Sequence, residues 1–151
     1  MPTKSNPSSV GGSCHCGAIK FTVAFPTRFF AHCYCADCRR AHGAPVVSWV
    51  GVLEHQLTYE QGEDALVRYD SSAAAWRHFC RRCGTTLLFG GERWPGEVHV
   101  AAANLDGPVD REPQAHVYYD RRLPWFSAGD ELPRLGGDNG VQPLGSVEDA
   151  G

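Results

Sequence analysis

Seven cysteines are the residues of this chain best suited to chemistry. They fall into three groups, namely Cys14-x-Cys16, Cys33-x-Cys35-x2-Cys38 and Cys80-x2-Cys83. Zinc prefers four tetrahedral ligands, and short Cys-x-Cys or Cys-x2-Cys segments present two thiolates on one side of a turn. An odd number of cysteines also excludes complete pairing into disulfides within the chain. The spacing therefore predicts metal coordination.

The first and last groups together supply four thiolates, which is the ligand set of a closed structural zinc site. We assign this site to Cys14, Cys16, Cys80 and Cys83. A glycine follows each pair in the sequence, and glycine permits a positive φ that can turn backbone N–H groups toward the sulfurs. Structural zinc contributes about 10–16 kcal/mol of apparent binding free energy that is also folding free energy. We therefore expect the loss of one of these ligands to unfold the protein.

The middle group leaves Cys33, Cys35 and Cys38 for a second metal. Three protein ligands with an open fourth position are typical of catalytic zinc, where water or substrate completes the coordination. His32 and His42 lie nearby in the sequence, and either could fill that position and make the site structural. A redox function is a further interpretation, because a Cys-x2-Cys pair at a helix start can cycle through a disulfide. The sequence leaves these alternatives open.

The elements that must position these cysteines are predicted to be mainly β-strands. Apolar or alternating segments that contain β-branched and aromatic residues favour strands. The predicted strands are 19–25, 46–52, 57–59, 66–69, 77–79, 85–89, 98–102 and 115–119. Gly62 suits a hairpin turn between the strands at 57–59 and 66–69. His116 lies in an alternating strand and is predicted to be a core histidine.

One short helix is predicted at Ala36–His42, with Asp37 near its start and Gly43 as its stop. The two ends of the chain are polar, rich in small residues and have little to pack. We expect a flexible leader at residues 1–10, one domain at 11–135 and a disordered tail at 136–151. The predicted fold class is mainly β with one short helix.

Composition excludes several classes of partner. The 151 residues carry a formal net charge of −3 and lack the basic stripe that nucleic-acid binding requires. No apolar stretch approaches the roughly 20 residues needed to cross a bilayer, and residues 1–10 lack the apolar region of a secretory signal. We therefore expect a cytoplasmic protein whose thiols stay reduced unless they bind metal. Exposed strand edges are compatible with a homodimer.

Three motifs occur in a characteristic order, and they are Gly12-Ser13-Cys14-His15-Cys16-Gly17, His32-Cys33-Tyr34-Cys35-Ala36-Asp37-Cys38-Arg39-Arg40 and Phe79-Cys80-Arg81-Arg82-Cys83-Gly84. This order resembles the glutathione-dependent formaldehyde-activating enzyme family, which also includes centromere protein V-like domains. The resemblance implies a zinc-bearing β-tent of small antiparallel sheets. It also implies a structural zinc on the outer cysteine pairs, a catalytic zinc on the middle three cysteines, and carbon–sulfur lyase activity on the adduct of glutathione with formaldehyde.

A small thiol, with glutathione as the leading candidate, is expected to take the open position beside Cys33, Cys35 and Cys38. Glutathione carries two carboxylates and one ammonium, so its pocket needs cations and hydrogen-bond donors. The candidate contacts are Arg39, Arg40, Arg77, Ser71 and Ser72. Each also has a structural interpretation, such as a solvated helix face for the first two arginines. The alternative function is a zinc-stabilised binding module without catalysis, as the centromere protein V relatives suggest.

Overall fold

The computed structural model describes residues 7–144, which contain a single α-helix and twelve strands. The helix is α1 (Ala36–His42), and its bounds are those predicted from the sequence. The strands are β1 (Ser9–Ser13), β2 (Lys20–Ala24), β3 (Phe29–Cys33), β4 (Val47–Leu53), β5 (Leu57–Gln61), β6 (Leu66–Ser72), β7 (Ala75–Cys80), β8 (Thr86–Gly91), β9 (Glu97–Ala101), β10 (Ala115–Val117), β11 (Leu135–Gly136) and β12 (Gln142–Pro143).

The described strands form three sheets. Their orders are β1-β2-β5, β10-β3-β4-β9-β8-β7-β6 and β11-β12. The mainly β fold class with one short helix is therefore confirmed. All pairs are antiparallel except β10 with β3, which run parallel. The expectation of antiparallel sheets is wrong at this pair, because β10 reaches the sheet edge after a long connection that no local sequence pattern reveals.

The hydrophobic core lies against one face of the seven-stranded sheet. Val50 of β4 pairs with Val100 of β9, which pairs with Leu88 of β8, so the three side chains share a face. All three are buried and belong to one hydrophobic cluster with Phe21 and Val23 of β2. Burial of each such aliphatic side chain stabilises the fold by about 1.5–3 kcal/mol. The core thus joins the seven-stranded sheet to the three-stranded sheet and leaves the opposite face of the larger sheet for other uses.

The predicted hairpin at Gly62 is wrong. β5 pairs with β2, whereas β6 pairs with β7 in the other sheet. Gly62 has a φ of 78° and precedes a single 3-10 turn at Glu63–Ala65. A Cβ at this position would clash with the backbone carbonyl of Ala18. The glycine therefore carries the chain from one sheet to the next, and the short spacing of the two strands misled the prediction.

Two domain boundaries differ from the sequence-based expectations, and four strands, β1, β3, β11 and β12, are not among those predicted. β1 starts at Ser9, within the predicted leader of residues 1–10. Residues 136–144 were assigned to a disordered tail, but β11 pairs with β12, and Tyr118 N donates to Gly140 O at 2.9 Å. Backbone hydrogen bonds order this polar, glycine-rich segment. Such bonds cannot be recognised from amino-acid composition, which is why disorder was predicted. β3 is not among the predicted strands, and only its last two residues, His32 and Cys33, belong to a cysteine motif.

Residues 1–6 of the predicted leader and residues 145–151 of the predicted tail lie outside the described range. Within residues 7–144 no helix is long and apolar enough to cross a membrane.

We expect Gly62→Ala to destabilise the protein more than Gly96→Ala. Both glycines have a positive φ, which costs an alanine about 1–2 kcal/mol. Only Gly62 also faces a backbone clash, while nothing lies within 4 Å of a Cβ at Gly96. Overpacking should add about 1–3 kcal/mol at Gly62. Denaturant unfolding of the two variants measures the difference, and equal losses would contradict the role of Gly62 between the sheets.

Candidate functional site

The four cysteines assigned to the closed site meet where the two larger sheets adjoin. Cys14 follows β1, Cys80 ends β7, and Cys83 lies in the turn before β8. The four sulfurs lie within 4.8 Å of one another, and Cys16 Sγ is 3.6 Å from Cys14 Sγ and 3.9 Å from Cys80 Sγ. The cluster therefore brings together segments of the chain that are more than 60 residues apart.

Backbone donors surround these sulfurs. Ile19 N donates to Cys14 Sγ at 3.3 Å, and Arg82 N donates to Cys80 Sγ at 3.4 Å. The glycines after each pair have the predicted positive φ, but their N–H groups donate to the carbonyls of Cys14 and Cys80 and close the two turns. The Thr85 hydroxyl lies 3.1 Å from Cys83 Sγ and lowers the pKa of that thiol to about 5. Four clustered sulfurs with N–H donors fit a structural zinc ion.

The other three cysteines form a second cluster at the start of α1. Cys33 ends β3, Cys35 occupies the N-cap position of α1, and Cys38 lies in its first turn. Cys38 N donates to Cys35 Sγ at 3.3 Å, so a cysteine sulfur takes the place of the usual capping oxygen. The three sulfurs lie within 4.8 Å of one another, and Cys33 Sγ is 3.6 Å from Cys38 Sγ.

The three thiols of this cluster do not ionise equally. Hydrogen bonds from the Cys33 and Cys35 thiols, together with the Arg77 guanidinium, lower the pKa of Cys38 against the effect of burial. The same sulfur contacts and burial raise the pKa of Cys33. Buried thiols in mutual contact cannot all ionise without a cation. Soft sulfur donors that need a cation fit zinc.

Neither histidine near the cluster completes it. The Nδ1 of His32 lies 2.7 Å from the Ser48 hydroxyl, and its ring stacks on His116. The ring of His42 packs edge-on against Trp49 with centroids 5.2 Å apart. In the described part of the chain, the sulfurs of this second cluster have no histidine nitrogen within the same ligand distance. The set is therefore three sulfurs and not three sulfurs with a histidine.

The three-cysteine cluster opens into a cavity of about 770 Å³. Three of the five predicted substrate contacts line this cavity, namely Ser71, Ser72 and Arg77. Arg77 is 6% exposed, and its Nη2 donates to Cys38 Sγ at 3.7 Å. The remaining walls that matter for the chemistry are Phe29, Trp49, Phe89, Arg93, Trp94, His99 and Arg121.

Residues 9–121 match the model of the glutathione-dependent formaldehyde-activating enzyme family. The chain belongs to this family. A Halomonas elongata protein named as a putative glutathione-dependent formaldehyde-activating enzyme is 32% identical over 126 residues, which cover 76% of this chain and 77% of the relative.

Other proteins similar to this formaldehyde-activating family member match over shorter lengths. A Schizosaccharomyces pombe protein named as an uncharacterized lyase is 30% identical over 52% of this chain and 55% of its own length. A Pyrenophora teres relative with the same putative name as the Halomonas protein is 35% identical over 57% of this chain, and the match spans about half (47%) of its length. A crystal structure of a Rhodobacter sphaeroides protein is similar with a TM-score of 0.56 and 30% identity, covering 67% of this chain and 92% of that chain.

Two predicted contacts in this family member lie away from the cavity. Arg39 Nε donates to the Tyr34 carbonyl at 3.1 Å, so its guanidinium supports the cysteine loop. Arg40 lines a smaller cavity of about 380 Å³, which shares Asp37, Ser71 and Arg77 with the large one. The structure instead brings Arg93 and Arg121 to the large cavity. Sequence reasoning missed them because neither lies near a cysteine motif, and only the tertiary fold brings them to the same space.

A buried hydrogen-bonded network holds the loop between Cys33 and Cys35. The Tyr34 hydroxyl lies 2.9 Å from His116 Nδ1, and His116 Nε2 lies 2.8 Å from Asp130 Oδ1. This hydrogen bond to His116 is the main reason why the pKa of Asp130 is lowered. Tyr34 and His116 are both at most 3% exposed. The predicted core histidine is therefore a satisfied link between the β10 edge and the loop that carries Cys33 and Cys35.

We expect Tyr34→Phe to lower the metal affinity of the three-cysteine cluster by about 10-fold, because the network that orients two ligands loses its hydroxyl. The four-cysteine cluster should keep its affinity. Competition with a graded series of chelators measures both sites, and Tyr69→Phe, at a tyrosine that is 59% exposed, is the matched control. Equal affinity of the second cluster in both variants would contradict the positioning role.

We expect Cys80→Ser to prevent folding, whereas Cys35→Ser should retain a cooperative unfolding transition. Cys80 is fully buried where the sheets adjoin, and the zinc-linked folding free energy of about 10–16 kcal/mol rivals the usual total stability of about 5–15 kcal/mol. Cys35 is half-buried at the cavity. Circular dichroism with thermal unfolding measures the outcome, and an unchanged melting temperature in Cys80→Ser would overturn the structural assignment.

Proposed function

We propose that this chain is a zinc-dependent carbon–sulfur lyase or synthase that acts on adducts of glutathione, or a related small thiol, with an aldehyde. The observation that carries the proposal is the contrast between the two clusters. The first has four sulfurs, while the second has three sulfurs, no histidine ligand and an adjoining cavity of about 770 Å³. Two zinc ions per chain are expected, one in each cluster.

Zinc on Cys33, Cys35 and Cys38, when bound, would keep an incoming thiol in its thiolate form at neutral pH. The protein contributes the positive charge of Arg77 on the inner side of the same cluster. Its Nη2 contacts Cys38 Sγ and offsets the accumulated negative charge of the sulfurs. Arg77 can therefore stabilise the cluster and also donate a hydrogen bond to a substrate oxygen that lies beside it.

The second guanidinium nitrogen of Arg77 is available for that oxygen. Arg77 Nη1 is buried and has no hydrogen-bond partner among the described residues. When a thiolate sulfur bonds to the aldehyde carbon, the carbonyl electron pair moves to the oxygen, which then takes a proton from water. A buried N–H donor beside that oxygen stabilises its developing charge. In the lyase direction the hydroxyl loses its proton, and the electron pair of the carbon–sulfur bond returns to sulfur.

The carboxylates of glutathione find positive charge and hydroxyl donors in the same cavity. Arg93 and Arg121 supply the charge, while Ser71 and Ser72 supply the hydroxyls. Part of the Arg93 guanidinium is already engaged, since it donates to the Tyr118 hydroxyl at 3.1 Å and to Asn139 O at 2.9 Å. These bonds fix its position over the Trp94 ring, which pre-organises the charge for an anionic ligand.

We expect Arg77→Ala to lower kcat/KM for the glutathione–formaldehyde adduct by about 100-fold, the loss typical of one removed oxyanion donor. Arg28→Ala is the matched control, because the side chain of this arginine is 53% exposed, pairs with Glu97 and does not line the large cavity, and its turnover should stay within about 2-fold. Exchange spectroscopy by NMR measures interconversion of glutathione, formaldehyde and the adduct at equilibrium. Equal losses in the two variants would contradict the assignment of Arg77.

The zinc-loaded Cys35→Ser variant separates the proposed lyase from the alternatives. The lyase predicts two zinc ions in the parent protein, one in the variant, and no turnover by the variant. A parent protein that binds glutathione but does not change the exchange rate would be a binding module. Thiol counting by mass spectrometry with and without chelator would reveal a redox pair, because disulfide formation at Cys35 and Cys38 would not depend on the chelator.

A further inference from the structure

A row of side chains crosses the cavity face of the seven-stranded sheet. The strand register places Phe29 opposite Gly51, Gly51 opposite His99, His99 opposite Phe89, and Phe89 opposite Arg77. Residues directly opposite each other in paired strands project to the same face. The row therefore runs from Arg77, which touches Cys38, to an aromatic region farther along the sheet.

Gly51 makes room in this row. A Cβ on Gly51 would overlap the ring of Phe29, so a larger residue would displace that ring. With glycine there, Phe29 lies edge-on against His99, with ring centroids 4.8 Å apart and an interplanar angle of 89°. The absence of a side chain at one position thus brings two rings from β3 and β9 into contact, although β4 lies between them.

The rings of Phe29, Trp49, Phe89, Trp94 and His99 form a continuous wall, which we call the aromatic chamber. His99 packs against Phe89 and Trp94 with centroids 5.6 Å and 5.0 Å apart, and Phe89 also packs against Trp49 at 6.0 Å. All five residues line the cavity that holds Cys33, Cys35 and Cys38. The chamber is therefore part of the space into which the three-cysteine cluster opens.

His99 is the one imidazole in this wall, and one of its ring nitrogens lacks a partner among the described residues. Its side chain is 6% exposed, and its Nε2 atom is buried without a hydrogen bond to any described residue. Burial lowers the pKa of His99 to about 4, so the ring is neutral near pH 7. Buried polar atoms are nearly always paired, and an unpaired one at a cavity wall points to a ligand atom. A neutral imidazole suits an uncharged oxygen.

Formaldehyde does not account for this chamber. Its single carbon has no apolar group that aromatic walls could cover, whereas five rings line this part of the cavity. Aromatic rings favour edge-to-face contact with other aromatic rings. Along the row, starting at the cysteine cluster, the guanidinium of Arg77 comes first, the ring of Phe89 second and the unpaired nitrogen of His99 third. Arg77 and His99 stand two strands apart in the row, or about 10 Å.

From this order we propose that the preferred aldehyde is an aryl aldehyde that carries an oxygen substituent on its ring. This inference rests on the proposed function. The thiol sulfur lies at the three-cysteine cluster, and the carbinol oxygen lies beside Arg77. The ring packs in the aromatic chamber, and its hydroxyl pairs with His99 Nε2. In synthesis the carbon–sulfur bond forms, the carbonyl pair moves to oxygen, and water supplies the proton; in cleavage each change is reversed.

Binding of stable alcohol probes tests the chamber without glutathione and without turnover. The zinc-loaded full chain is titrated with 4-hydroxybenzyl alcohol, benzyl alcohol and cyclohexylmethanol, and tryptophan fluorescence is recorded because Trp49 and Trp94 lie in the wall. We expect 4-hydroxybenzyl alcohol to bind about 10-fold more tightly than benzyl alcohol, and benzyl alcohol to bind more tightly than cyclohexylmethanol. Absence of saturable binding, or equal affinity for the two carbocycles, would overturn the aryl preference.

The His99→Phe variant tests the pairing with the ring hydroxyl. It keeps an aromatic ring in the wall and removes the nitrogen, so the preference for 4-hydroxybenzyl over benzyl alcohol should fall from about 10-fold to about 1-fold. Trp125→Ala, at a tryptophan that is 70% exposed, should keep the full preference. An unchanged preference in His99→Phe would overturn the role of this residue, and circular dichroism verifies that both variants fold.

Turnover then distinguishes this inference from the function on which it rests. If both are correct, glutathione with 4-hydroxybenzaldehyde exchanges faster than glutathione with formaldehyde. Faster exchange with formaldehyde, after aryl probes have failed to bind, overturns the inference alone. Binding of the aryl probes without exchange of any glutathione adduct overturns the lyase assignment and retains the chamber as an aryl-binding site.

Discussion

The architecture depends on the convergence of cysteine sulfurs from distant parts of the chain. Four of them meet where the three-stranded and seven-stranded sheets adjoin, and the turns that present them are closed by glycines with positive φ. Sulfurs at such short separations, of which Cys14 and Cys80 are buried, repel one another as thiolates and satisfy few hydrogen bonds as thiols. A soft dication resolves this conflict, which is why the fold and the metal are expected to be inseparable.

The seven-stranded sheet serves two purposes on its two faces. One face carries buried aliphatic residues such as Val50 and Val100 and supplies the hydrophobic core. The other carries Cys33, Arg77 and the aromatic row and supplies a wall of the cavity. Strand alternation produces this division, because adjacent residues along a strand point to opposite faces. A rigid core on one side therefore fixes the positions of the reactive groups on the other.

Unpaired polar atoms mark the cavity face as a site built for a ligand. Arg77 Nη1 and His99 Nε2 are both buried without a partner among the described residues, and both residues line the cavity. Leaving such groups unsatisfied costs about 1–3 kcal/mol each. The same two residues stand in one cross-strand row, separated by Phe89. The fold thus holds a charged donor near the sulfurs and a neutral nitrogen farther away, with an apolar surface between them.

Local sequence patterns were sufficient to predict the fold class, the bounds of α1 and the division of the cysteines into four and three. These features follow from local chemistry: alternating apolar residues, a glycine stop and short cysteine spacings. The sequence could not decide whether His32 or His42 completed the smaller cluster, since that depends on where β4 directs Ser48 and Trp49.

The lining of the cavity, in contrast, became known from the three-dimensional structure. The fold placed Arg93 and Arg121 there and left Arg39 and Arg40 outside, and it aligned Phe29, Gly51 and His99 across three strands. The pairing of β5 with β2 and the parallel edge strand β10 were equally hidden. The physical reason is that register and sheet order join residues far apart in the chain, while spacing and periodicity report only on neighbours.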